Sequence, residues 1–96
     1  NFKYIILNNN ANESVGCLQP TDINLVNLKK LAEAVGFKNF YYADEKYKLK
    51  ILIKEFLKSE GPSFLHVKIQ PGTLPNLGRP KNLIKIKNNF MKILTR

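Results

Sequence analysis

Three short apolar runs alternate with stretches of helical periodicity along the chain. The runs FKYIIL, NFYYA and SFLHVKI are rich in aromatic and branched residues and are bounded by polar or turn residues, which is typical of buried strands. Between them, apolar residues recur three or four positions apart, as on the buried face of an amphipathic helix. The predicted strands are 3–7, 39–43 and 63–69, and the predicted helices are 22–35, 45–59 and 84–95.

Residues at the ends of these segments support the predicted boundaries. Thr21 or Asp22 can cap the first helix and Gly36 can close it, because short polar side chains accept from free helix N–H groups and glycine adopts the left-handed C-terminal turn. Asp44 offers an N-cap to the second helix. Gly61 and Pro62 end that helix before the third strand.

The order strand, helix, strand, helix, strand, helix predicts an α/β fold, a three-layer arrangement with a parallel sheet and crossover helices. Ligands of such sheets bind beyond the carboxyl ends of the strands. Residues 8–16 and 70–79 both follow strands at that edge. We therefore expect any binding site to be built from these two loops.

Three consecutive asparagines, Asn8, Asn9 and Asn10, directly follow the first strand. Asparagine is depleted in strands and common in turns, so a plain loop is the simplest interpretation of the pattern alone. The position at the carboxyl end of a strand favours the alternative, which is a binding site. Both interpretations are open at this point.

Composition limits what the chain can do. It has 96 residues, 44% of them hydrophobic and 24% charged, which indicates one globular domain. No apolar stretch approaches the length of a membrane helix and no secretory leader is visible, so we expect a cytoplasmic location. Cys17 is the only cysteine and His66 the only histidine, which excludes an internal disulfide framework and a standard zinc site.

The net charge of +9 raises the question of nucleic-acid binding. Residues 1–36 are electrically balanced, and no acidic residue follows Glu60. The basic residues after that point are Lys68, Arg79, Lys81, Lys85, Lys87, Lys92 and Arg96. Because lysine predominates and no aromatic RNA-binding signature accompanies it, a solvated basic face is the better interpretation.

Three segments carry a resemblance to a known family. NFKYIILNNNANESVG, GFKNFYYADEKYKLKILIKEFLKSEGPSFLHVKI and PGTLPNLGRP together resemble the carboxyl-terminal part of thiamine-diphosphate-dependent 2-oxoacid decarboxylases. The likeness is greater to the phosphonopyruvate decarboxylases than to the sulfopyruvate decarboxylases. It extends over nearly the whole chain, so residues 1–96 are identified as the carboxyl-terminal part of a diphosphate-binding domain.

The resemblance implies a cofactor and its ligands. In that family the motif opens with Gly-Asp-Gly and closes with the asparagine pair, and only the closing half is present here. By the motif, Asn9 would give its amide oxygen and Ala11 its backbone carbonyl to the Mg²⁺ that holds thiamine diphosphate. Amide and carbonyl oxygens suit this hard cation without adding charge beside a diphosphate. Glu13 and Ser14 would line the cofactor site, and Arg79 is a candidate for the acidic group of the substrate.

The chain departs from the family pattern near the asparagines. Glycine is expected where Asn10 stands and histidine near Asn12, and GCLQP replaces GGQP. Asparagine tolerates a left-handed turn, so the geometry can survive. For the remaining candidates simpler roles compete: Glu13 and Ser14 as surface loop residues, Cys17 as an inert thiol, His66 as a hydrogen-bonded structural residue, and Arg79 in a helix cap or ion pair.

The resemblance also implies that the chain is part of a larger enzyme. The activating glutamate of the family comes from another domain, normally across a subunit interface, so we expect missing sequence before residue 1, a homo-oligomer and an inactive isolated chain. The resemblance implies decarboxylation of a 2-oxoacid, with phosphonopyruvate converted to phosphonoacetaldehyde and CO2. The alternatives are sulfopyruvate or another 2-oxoacid as substrate, or a non-enzymatic basic interaction module.

Overall fold

The centre of the fold is a parallel sheet, seen in a computed structural model that describes residues 1–15 and 19–95. The strands of the described chain are β1 (Lys3–Asn8), β2 (Ala11–Asn12), β3 (Gln19–Pro20), β4 (Asn39–Ala43) and β5 (Ser63–Lys68). Its α-helices are α1 (Leu28–Ala34), α2 (Lys46–Lys58) and α3 (Leu83–Leu94). Strands β1, β4 and β5 form one sheet, and β2 pairs with β3 in a small antiparallel ribbon.

Strand β5 lies in the middle of the sheet and pairs in parallel with both β1 and β4. Phe64 of β5 is in register with Tyr4 on one side and with Phe40 on the other. The parallel sheet with connecting helices, predicted from the order of the elements, is therefore confirmed. The central position of β5 accounts for its continuous apolar sequence, because both of its faces are covered.

The two faces of the sheet are covered by different elements. Helix α2 places Phe56 against Leu65 and Val67, and these three side chains form the buried core on that face. Phe64 points to the opposite face, since successive side chains of a strand alternate. There its ring meets Phe37, just beyond α1, edge to face with the centroids 5.2 Å apart. This arrangement gives the sheet helical cover on two faces.

The first predicted helix is divided in two, which corrects the single span 22–35. A short 3₁₀ helix covers Asp22–Leu25, and the chain is extended at Val26. Helix α1 then starts directly after Asn27, whose Oδ1 accepts from the backbone N–H of Lys30 at 3.0 Å. Asn27 is therefore the side-chain cap. The predicted closure at Gly36 is confirmed, with φ at +94°.

Asp44 does not cap α2, contrary to the sequence prediction. Glu45 holds the N-cap position without a side-chain hydrogen bond. The Asp44 carboxylate instead accepts from Lys48 Nζ at 2.7 Å, one turn into the helix. This bond lowers the pKa of the Asp44 carboxyl from its usual value. The four-residue spacing of the pair is what brings the two side chains together.

Two apolar surfaces are left exposed. Strand β1 is an edge strand, and its residues Ile5 and Leu7 are 46% and 64% exposed. The sheet therefore has an accessible apolar edge at β1. Helix α3, capped by Asn82, has no buried residue.

No helix within residues 1–15 and 19–95 has the length and apolar character needed to cross a membrane.

Candidate functional site

Asn8 ends strand β1 and starts the turn that follows it. Its side chain is buried, and its Oδ1 accepts from the backbone N–H of Asn10 at 2.9 Å. Asn10 has φ at +56°, in the left-handed region that asparagine tolerates better than most residues. The left-handed turn considered for Asn10 from the sequence is confirmed. The first asparagine therefore has a structural role.

The amide of Asn8 also determines which ring nitrogen of His66 carries the proton. Because Oδ1 of Asn8 faces the N–H of Asn10, Nδ2 faces the imidazole and lies 3.0 Å from Nε2 of His66. An amide nitrogen only donates, so Nε2 must accept and the ring proton must be on Nδ1. Burial of the ring lowers the pKa of His66, and the charge of Lys68 lowers it further. His66 is a neutral, hydrogen-bonded structural residue, as expected.

Asn9 lies just past the strand and is held by two hydrogen bonds. Its Oδ1 accepts from the backbone N–H of Ala11 at 3.1 Å, which closes an Asx turn. Its Nδ2 donates to Oε2 of Glu13 at 2.8 Å. The amide of Asn9 therefore has one orientation, with the oxygen on the Ala11 side and the nitrogen on the Glu13 side.

Glu13 joins the two loops at the carboxyl edge of the sheet. While Oε2 accepts from Asn9, Oε1 accepts from the backbone N–H of Gly72 at 2.5 Å. A backbone bond from Ile69 to the Asn8 carbonyl, 2.9 Å long, adds a second link nearby. The predicted meeting of the loops after β1 and β5 is confirmed for the described residues. Gly16, at the end of the first loop, lies outside them.

The oxygens available at this edge suit a hard cation. Asn9 Oδ1 accepts one hydrogen bond and has a second lone pair. The Thr21 N–H bonds to the Asn10 carbonyl, so Ala11 and Pro20 form a non-hydrogen-bonded pair and the Ala11 carbonyl makes no ladder bond to β3. No group of three or more His, Cys, Asp or Glu side chains converges anywhere in residues 1–15 and 19–95. The residues present therefore offer neutral oxygens of the kind that Mg²⁺ binds.

Ser14 and Arg79 are not joined to Asn9 by any hydrogen bond within the described chain. Ser14 is exposed and its Oγ donates to Oδ1 of Asn12 at 3.2 Å. Arg79 is exposed at the rim of an open cavity of about 430 Å³ formed by residues 73–79. It makes no ion pair within residues 1–15 and 19–95, and Asn82 caps α3. Cys17 lies outside the described residues.

Two features of the site were missed from the sequence. Gly72 donates to Glu13 from a backbone with φ at +120°, and only the Pro71-Gly72 turn signal pointed to an unusual conformation there. Asn10 Oδ1 is buried and has no partner among the described residues. This unpaired oxygen stands at the position where the family resemblance leads one to expect glycine.

Comparisons with known proteins give two similar sequences. The chain is 32% identical over 81 residues to a phosphonopyruvate decarboxylase of Streptomyces viridochromogenes. It is 33% identical over 81 residues to a phosphonopyruvate decarboxylase of Streptomyces hygroscopicus. Each alignment covers 84% of this chain and 20% of the relative. The chain thus spans about a fifth of the length of the curated relatives it matches.

These similarities support a relation to the decarboxylases over the aligned part. No family model matches the chain. No solved structure matches it either.

Proposed function

We propose that this chain is the carboxyl-terminal part of the cofactor domain in a longer thiamine-diphosphate- and Mg²⁺-dependent decarboxylase. The observation that carries the proposal is the held amide of Asn9, which lies directly beyond strand β1 with a lone pair of Oδ1 available. Ligand sites of parallel sheets lie at this edge. The similarity to two phosphonopyruvate decarboxylases supports the same proposal.

In the proposed site, Asn9 Oδ1 and the Ala11 carbonyl are the two oxygens of this chain that bind the magnesium ion. Bound thiamine diphosphate would supply a carbanion that adds to the 2-oxo carbon and an electron sink for the loss of CO2. The part of this chain is to hold the diphosphate end through the ion. A carboxylate ligand and the group that activates the cofactor come from the rest of the enzyme and from a second subunit.

The proposed reaction converts phosphonopyruvate to phosphonoacetaldehyde and CO2. Arg79 is the candidate for the phosphonate, since a guanidinium binds tetrahedral oxyanions through two parallel N–H donors. It is exposed and makes no ion pair with a described residue, so its donors are available for an anion. Sulfopyruvate carries a similar group, and it is the alternative substrate.

The proposal is tested on the protein at its natural length. Release of CO2 is measured with phosphonopyruvate, sulfopyruvate and pyruvate, each with and without thiamine diphosphate and Mg²⁺. We expect turnover of phosphonopyruvate that requires both additions and is absent for the 96-residue chain alone. No release from any of the three acids would contradict the proposal and favour a basic interaction module.

The substrate assignment has its own variant and control. Arg79→Met should raise KM for phosphonopyruvate about tenfold or more, because a charged hydrogen-bonding partner of the anion is lost. Lys81→Met removes a neighbouring positive charge and serves as the matched control. Equal effects of the two substitutions would show that general positive potential, rather than Arg79, attracts the substrate.

A further inference from the structure

We propose that Glu13 is a positioning residue, which orients the amide of Asn9 and tethers the loop that starts at Gly72. The inference rests on the proposed function and deepens it. It gives Glu13 a task that differs from contact with the cofactor. Its basis is a carboxylate that accepts from two loops at once, one of its donors being Gly72, 59 residues away in sequence.

The first half of the inference concerns amide orientation. The two ends of an asparagine amide have nearly the same shape, so a free side chain can present either oxygen or nitrogen. An ionised carboxylate only accepts hydrogen bonds, so Nδ2 of Asn9 must face Glu13. The oxygen is then directed to the other side, where the Ala11 N–H holds it. Without Glu13, the Ala11 N–H alone opposes rotation of the amide, so the orientation with NH2 toward the cation becomes easier to reach.

The second half concerns the loop after β5. Gly72 donates its N–H to Oε1 of Glu13 at 2.5 Å with φ at +120°, a conformation that residues with a side chain rarely adopt. A Cβ at Gly72 would meet no atom within 4 Å, so the requirement for glycine is conformational. The bond fixes the start of the segment that leads to Arg79. Glu13 therefore connects the proposed metal ligand to the loop of the proposed substrate residue.

The burial of the carboxylate supports a positioning role. Glu13 is half-buried, and both of its oxygens are engaged by described donors. Hydrogen bonds to an ionised acceptor are roughly twice as strong as neutral ones. Residues that orient metal ligands typically change metal affinity by about ten- to a hundredfold when substituted. An effect of that size is expected at Glu13 although it is not a ligand.

The test uses Glu13→Met in the protein at its natural length. Methionine has a side chain of similar length but no oxygen to accept a hydrogen bond, so both bonds are lost. The control is Glu55→Met, at an exposed residue of α2 that makes no side-chain hydrogen bond within the described chain. Two quantities are measured: hydrogen exchange of peptides covering 70–78, and the Mg²⁺ concentration that gives half-maximal binding of thiamine diphosphate.

Glu13→Met should speed exchange in 70–78 and raise the half-maximal Mg²⁺ concentration about tenfold or more, with neither change in Glu55→Met. Asn9→Ala should raise the Mg²⁺ requirement while leaving exchange in 70–78 slow. Unchanged exchange in Glu13→Met would overturn the tether, and an unchanged Mg²⁺ requirement would overturn the orientation of Asn9. If the unsubstituted protein binds no cofactor, the proposed function fails and the exchange measurement alone decides the tether.

Discussion

Asn8 and His66 form a hydrogen bond between neighbouring strands β1 and β5, with 3.0 Å between Nδ2 and Nε2. The bond places a neutral imidazole beneath the asparagine turn. It also connects the proposed site to the middle strand of the sheet. Protonation of His66 would put an N–H opposite the Asn8 NH2 group, so this contact exists only above the pKa of the ring.

Acidification should therefore weaken the fold. Burial lowers the pKa of His66 in the folded state, so the unfolded chain binds the proton more readily. Stability is full above the unfolded value of about 6.5 and falls as the pH drops below it toward the lowered folded value. Urea unfolding of the chain between pH 5 and 8 should show a loss of about 1 kcal/mol, the size of one hydrogen bond.

Two variants separate His66 from other acid effects. His66→Gln should remove the change of stability over this pH range. Asn8→Asp should reverse it, because a carboxylate accepts from the protonated ring and raises its pKa, so stability is then greatest below that pKa. A pH response that is the same in all three proteins would contradict the assigned tautomer.

Asn10 allows a test of the turn itself. The residue combines φ at +56° with a buried Oδ1 that has no partner among the described residues. Asn10→Gly removes both the Cβ and the buried oxygen, whereas Asn10→Ala keeps a Cβ in the left-handed region, which costs roughly 1–2 kcal/mol for an ordinary residue. We expect Asn10→Gly to be the more stable variant in urea unfolding. Equal stabilities would show that the turn relaxes to another conformation.

Lys3 stabilises the opposite, amino-terminal edge of the sheet. Its Nζ lies 3.0 Å from Ser59 Oγ and 3.1 Å from Ser63 Oγ, and it also donates to the Ser59 carbonyl. Lys3→Met should lower the free energy of unfolding by about 1.5–3 kcal/mol, since charge-assisted bonds are lost. Lys54→Met, at an exposed position of α2, is the control. Similar unfolding curves for both variants would rule out this role.

The sequence predicted most of the fold because strand and helix periodicity depends on neighbouring residues. It placed β4 at its observed bounds and β1 and β5 within one residue at each end. It missed the break in the first helix, because Ile23, Leu25 and Val26 continue an apolar pattern up to the cap at Asn27. Asp44 has the sequence position of a cap for α2, but Lys48, four residues ahead, competes for its carboxylate.

The site was predictable only in part. The order of the elements predicted that a site would lie at the carboxyl edge of the sheet and that Asn9 would be located there. The bond from Gly72 to Glu13 did not, because it joins residues far apart in the chain and leaves no periodic signal. The pairing of Asn8 with His66 likewise depends on strand register, which a single sequence does not determine. The bond from Asn9 to Glu13 depends on the conformation of the loop between them.

The exposed edge of β1 should cause self-association of the 96-residue chain. An edge strand with accessible apolar side chains is a template for pairing with another copy, and Ile5 and Leu7 are both largely exposed. Light scattering should show mass increasing with concentration, and Leu7→Lys should reduce this. Leu57→Lys changes an equally exposed leucine on α2 and is the control. A strict monomer at high concentration would contradict the prediction.

The central claim is that Asn9 holds the cofactor through magnesium, and cofactor affinity in the protein at its natural length tests it most directly. Thiamine diphosphate is titrated by calorimetry in the presence of Mg²⁺ into the unsubstituted protein, Asn9→Ala and the control Asn12→Ala. Asn9→Ala should bind about ten- to over a hundredfold more weakly, corresponding to a loss of about 1.5–3 kcal/mol, while Asn12→Ala should bind normally. Unchanged affinity in Asn9→Ala would show that this asparagine only shapes the turn.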